Sequence, residues 1–140
     1  MALRAVPLAS PVITPSAPRT VRVDEAQRVT LVSLRHLLRA SLVSRRVHGP
    51  CVCAAVGCGI AQQRQTLATT LVQLLREAWG QAPVVFNPTV HVASFDEAWL
   101  LSLIEAQRVG DRESAAFLLS SRLPKYVHRM ILSLLAQLQF

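Results

Sequence analysis

Two sets of side chains in this sequence have the types and spacing for chemistry. The first is a row of arginines, Arg28, Arg35, Arg39 and Arg46. On an α-helix, which advances about 100° and 1.5 Å per residue, the four fall within about 20° of one line some 27 Å long. Guanidinium forks spaced in this way suit the phosphates of a nucleic acid or the carboxylates of an acidic protein. The competing reading is that they form only the solvated face of a packed helix. The second set is Cys51, Cys53 and Cys58 with His48 just upstream. Four nitrogen and sulfur ligands suit tetrahedral zinc, and in a strand Cys51 and Cys53 would point the same way. Yet C-x-C-x4-C is no standard finger spacing and no second chelating pair follows, so small buried core cysteines are the first expectation. Zinc, iron or thiol chemistry at these residues is the alternative.

Little else in the chain offers catalysis. Asp24, Glu25, Asp96, Glu97, Asp111 and Glu113 all lie where helices are expected to start, and capping and the helix dipole account for them there. Glu105 has Arg108 within one helical turn. His36, His48, His91 and His128 fall in four different elements, without a hydrolase, zinc-protease or nucleotide-binding motif around them. A helix-turn-helix can be drawn over residues 113–135, with Lys125, His128 and Arg129 near the start of its second helix, but its turn lacks the usual glycine.

Charge divides the chain unevenly. Between Glu25 and Glu77 there is no acidic residue, so residues 1–76 carry ten arginines against Asp24 and Glu25, a net +8, while residues 77–140 sum to −1. A pI near 11 permits an anionic partner but says nothing about fold. With 51% apolar and 16% charged residues, the chain is too hydrophobic for intrinsic disorder and long enough for one core. No apolar run approaches the roughly 18 residues of a membrane span. Three cysteines in a chain without a secretory signal point to a reducing, cytoplasmic setting. An organellar presequence is opposed by Pro7, Pro11, Pro15 and Pro18, which would break its amphipathic helix.

The elements that must position these residues follow from periodicity and caps. Residues 1–23 read as a flexible, proline-rich basic arm, and 24–140 as one helical domain with a basic half, 24–79, and a neutral to slightly acidic half, 80–140. The first helix is expected from Asp24 or Glu25 to about Arg46, apolar on most sides with the arginine row as its only polar window. The second should run from about Ala61 to Trp79 and stop at Gly80. Ser94-Phe95-Asp96-Glu97 has the pattern of a capping box, which starts a third helix ending before Gly110. Asp111 caps a fourth to about Arg122, and Pro124 opens a fifth whose stripe is Val127, Met130, Ile131, Leu134, Leu135 and Leu138. The fold class is therefore mainly α, a compact five-helix domain with room for a short β element at 51–56 and 84–92. Asp24-Glu25-Ala26 recurs as Asp96-Glu97-Ala98, too short a repeat to establish duplicated halves. The expectation for function is a small non-catalytic binding or regulatory protein whose arginine face engages an acidic protein or nucleic acid. A homodimer, with contacts between the unlike halves, is the further alternative.

Overall fold

The computed structural model describes residues 19–43 and 59–140. In chain order the elements are β1 (Thr20–Arg22), α1 (Glu25–Val43), α2 (Ile60–Trp79), β2 (Val92–Ser94), α3 (Phe95–Arg108), α4 (Arg112–Arg122) and α5 (Lys125–Leu138). The fold is mainly helical, as the periodicity requires, and the helix starts fall within a residue or two of their capping signals. Gly80 ends α2 in the left-handed region at φ 70°, a conformation that costs glycine nothing. No described helix is long and apolar enough to cross a membrane.

The β element differs from expectation. Its strands are β1 and β2, paired antiparallel with Thr20 opposite Ser94, Val21 opposite Ala93 and Arg22 opposite Val92. Thus the last residues of the expected arm are structured, and Val84-Val85-Phe86 does not form a hairpin with Val90-His91-Val92; a turn at Pro88-Thr89 joins irregular backbone instead. The expected strand at 51–56 lies outside the described residues, as does the part of the first helix beyond Val43. Val21 and Ala93 sit 72 positions apart, the same offset as the two Asp-Glu-Ala segments, so a local two-fold relates the two strands. The likeness stops at the backbone, because Asp24 and Glu25 stand in solvent while Asp96 and Glu97 are buried.

The core is a leucine-rich cluster drawn from every helix. Leu31, Leu34 and Leu38 of α1 meet Leu71, Val72 and Leu75 of α2, while Leu100, Leu103, Ile131 and Leu135 join them from α3 and α5. Each such side chain contributes roughly 1.5–3 kcal/mol when fully buried. Small and hydroxylated residues let α1 and α2 approach: Ser41 donates to the Leu37 carbonyl and accepts from Gln65 Nε2 at 2.8 Å. On α5 five of the six expected stripe residues are buried, but Met130 is half exposed because it sits at the stripe's edge.

Ser94 makes the full capping box, accepting from the Glu97 amide while Glu97 accepts from the Ser94 amide, and its hydroxyl also donates to the Val84 carbonyl. Replacing Ser94 with Ala removes the cap and strands a part-buried carbonyl, so a loss of about 2 kcal/mol is expected in urea unfolding with an unchanged m-value. At the head of α4, the Ser114 hydroxyl and then its backbone amide hold the Asp111 carboxyl below the ordinary carboxylate value. A depressed folded-state value gives stability that is present above the unfolded-state value and is lost as pH falls through the folded one. Hydrogen exchange at the Ser114 amide should therefore quicken in that acid window, beyond its intrinsic pH dependence, and Asp111→Asn should abolish this added step.

Candidate functional site

The arginine row does not survive folding as one surface. Around α1 the leucines define an inward direction, and at about 100° per residue Arg35 lies only about 60° from Leu38. Its side chain is 1% exposed and points into the molecule. Nε donates to Glu97 Oε1 at 2.9 Å and Nη2 to Glu97 Oε2 at 3.0 Å, a bidentate pair. Nη2 also donates to the Val92 carbonyl at 2.7 Å, and Nη1 to the carbonyls of Val90 at 2.7 Å and Asn87 at 3.2 Å. All five donors of the guanidinium are thus engaged.

Glu97 is equally saturated. Besides Arg35, Oε1 accepts from the Phe86 amide at 2.9 Å and Oε2 from the Ser94 amide at 2.8 Å. Its neighbour Asp96 repeats the arrangement with different partners, accepting from the Val84 amide at 2.8 Å and from Arg122 of α4 at 2.7 Å. Arg122 in turn lies over the Trp79 ring, 3.9 Å from its centroid, and Trp79 meets Trp99 edge to face at 5.6 Å. Two buried donors, Trp79 Nε1 and Arg122 Nη1, have no partner in this cluster. The first turn of α3 therefore holds two carboxylates, two arginines and the irregular segment 84–91 together. These groups are tied to one another, and Arg35 is not available to a ligand outside.

The other members of the row divide. Arg28 pairs with Glu25 at 3.0 Å on the surface, and exposed Arg39 has no hydrogen-bond or ion-pair partner among the described residues. Arg46 lies outside the described residues, and so do Cys51, Cys53, Cys58 and His48. Among the described residues no group of three or more His, Cys, Asp or Glu is arranged to hold a metal. Residues 113–135 form α4, a turn at Leu123 and Pro124, and α5; Lys125 and Arg129 are exposed while the His128 ring turns back to the Leu123 carbonyl at 2.9 Å.

The expectation that the arginines are the only window on α1 is corrected by the neighbouring face, which points away from the core. Val29, Val32 and Val43 are 75%, 40% and 82% exposed, and His36 and Arg39 stand between them. These five recur at alternating intervals of three and four residues and fall within about 80° of one another, the spacing of a seam that packs against another helix. The arginine line runs about 60° to one side of this window. Arg35 in that line is covered by the segment 84–91, and Arg28 and Arg39 border the apolar strip. A signal was present in the sequence: every valine of this helix points out, and Leu31, Leu34 and Leu38 point in.

No family model matches this chain, and comparison with the curated proteins and with the solved structures finds no match.

Removing one member of a buried, saturated ion pair leaves an uncompensated charge at a cost of about 3–5 kcal/mol. Arg35→Gln and Glu97→Gln should each lose stability of that order in urea, a large share of the ~5–15 kcal/mol of an ordinary domain. The double variant should lose clearly less than the two single losses together, because both remove the same interaction.

Proposed function

We propose that this chain is a small binding protein that takes an acidic, amphipathic helical segment of a partner protein along the outward face of α1. The observation that carries the reading is the apolar seam of Val29, Val32 and Val43, exposed beside Arg28 and Arg39. A helix face that met only water would need no such spacing of β-branched residues, which are poorer helix formers than leucine. Valines in a seam accept the apolar face of a second helix, and arginines at its border select carboxylates on that helix and steer its approach. Phosphates of a nucleic acid would use the arginines but gain little from the valines.

The test uses synthetic helical peptides that share one leucine seam and carry either glutamates or lysines beside it, titrated by fluorescence anisotropy. The glutamate peptide should bind and the lysine peptide should not. Val32→Asp should weaken binding about tenfold or more by setting like charges together, and Arg39→Gln should weaken it several-fold while flattening its salt dependence. Equal binding of the two peptides, or indifference to Val32→Asp, would sink the proposal. Steeply salt-dependent binding of duplex DNA without peptide binding would favour nucleic acid instead. Arg35 has no place in this test because its loss acts on stability.

A further inference from the structure

We infer that the cleft enclosed by the end of α3, by α4 and by α5 is a binding site for a small amphipathic carboxylate. Its volume is about 640 Å³, within the ~300–1,000 Å³ of clefts that take small organic ligands. Buried Ala106, Ala115 and Leu119 supply an apolar floor, and half-buried Leu132 continues it from α5. Two local features keep this space open. Gly110, at φ 73°, turns the chain sharply from α3 into α4. Ala106, Ala115 and Ala116 then present side chains too short to fill the space between the helices. Gln107 Nε2 donates to the Leu132 carbonyl at 2.8 Å and ties α3 to α5 alongside. The walls are thus helices whose spacing is set without a ligand.

Charge says which ligand fits. From Glu77 onward the chain has the cations Arg108, Arg112, Arg122, Lys125 and Arg129. Arg108 is paired with Glu105, and Arg122 with Asp96. Arg112, Lys125 and Arg129 have no hydrogen-bond or ion-pair partner among the described residues, and Arg112 and Arg129 line the cleft from different helices. Asp111, the one carboxylate among the cleft's described residues, is already held by the Ser114 amide and hydroxyl at the head of α4. Two guanidiniums against one engaged carboxylate leave a net positive charge beside an apolar floor. Arg112 also stands in the first turn of α4, where the helix dipole disfavours a cation. Local helix stability gives no reason for it there, whereas a bound anion would face the guanidinium and the positive end of the helix together. Arginine takes a carboxylate bidentately, and an aliphatic body attached to it then covers alanine and leucine instead of water. An inorganic anion would use only the arginines, and a neutral hydrocarbon only the floor. This site lies on other helices than the α1 face and stands or falls separately from it.

Decanoate, titrated into the full chain well below its micelle-forming concentration and followed by amide chemical shifts, tests the site. Saturable shifts should centre on Gly110, Ala116 and Leu132, while acetate and decyltrimethylammonium should produce none there. Arg112→Gln and Arg129→Gln should each weaken decanoate binding about fivefold, the scale of one exposed charge pair, and the double variant should weaken it further. Ala116 is exposed, so Ala116→Leu should obstruct the cleft and abolish saturable binding while leaving the urea midpoint unchanged. Equal binding of decanoate and the cationic amphiphile, or indifference to the loss of both arginines, would overturn the proposal. Shifts confined to α1 would place the amphiphile on the valine seam and overturn it as well.

Discussion

The structure depends on two adjacent carboxylates in the first turn of α3. Asp96 and Glu97 are both buried, and each holds an arginine from a different helix and a backbone amide from the irregular segment that precedes β2. That segment has no ladder or helix of its own to satisfy its polar groups, and a buried backbone without partners costs as much as the hydrogen bonds it forgoes. Arg35 supplies two of the missing donors, to the carbonyls of Asn87 and Val90, and also reaches that of Val92 at the head of β2, while the carboxylates accept from Val84 and Phe86. The N-terminal end of α3 carries the positive end of the helix dipole and favours both negative charges there. Desolvation of so many charged groups is expensive, so this centre is better understood as a device for placing α1, α3, α4 and one loop uniquely than as a large net source of stability.

Helix starts, stops and the inward leucines were legible because each is decided within a turn or two of sequence. Ser94 with Glu97, Asp111 before α4 and Gly80 after α2 are local signals, and the structure uses each of them. The Arg35–Glu97 pair was not legible, because its partners are 62 residues apart and each residue already had a sufficient local explanation. Arg35 belonged to a regular row, and Glu97 completed a capping box. A side chain can satisfy one rule and still carry the decisive contact of another, which is how Glu97 serves both as cap and as counter-ion. Likewise the strand at Thr20–Arg22 has no cap or periodicity to announce it, since its existence depends on a partner strand 72 positions on.

The burial of Arg35 also changes what the remaining charges mean. Four like charges in a row repel, and the fold relieves this by drawing one inside to Glu97 and pairing another with Glu25. Among the described residues, what is left on the surface is a sparse border of Arg28 and Arg39 beside exposed valines, and not a continuous phosphate grip. Long basic side chains at the edge of an apolar strip suit a protein helix better than a nucleic-acid backbone, because their aliphatic stems extend the apolar area while the guanidiniums select charge. The proposed partner class therefore rests on which arginine was taken inside.

The same centre also ties α4 to α3. Arg122 reaches Asp96 from α4 and is stacked on Trp79, whose ring abuts Trp99. Arg122 and Trp99 are at once members of the buried network and walls of a shallow depression between α3 and α4. A guanidinium held by a carboxylate on one side and an aromatic face on the other has little freedom, so the spacing of α3 and α4 at that end is set by charge and not only by apolar packing. The Phe95 ring, directly before Asp96, has its centroid 5.0 Å from the same guanidinium. Neighbouring residues of one helical turn thus place two different helices: Glu97 orients α1 and its exposed seam through Arg35, and Asp96 orients α4 through Arg122.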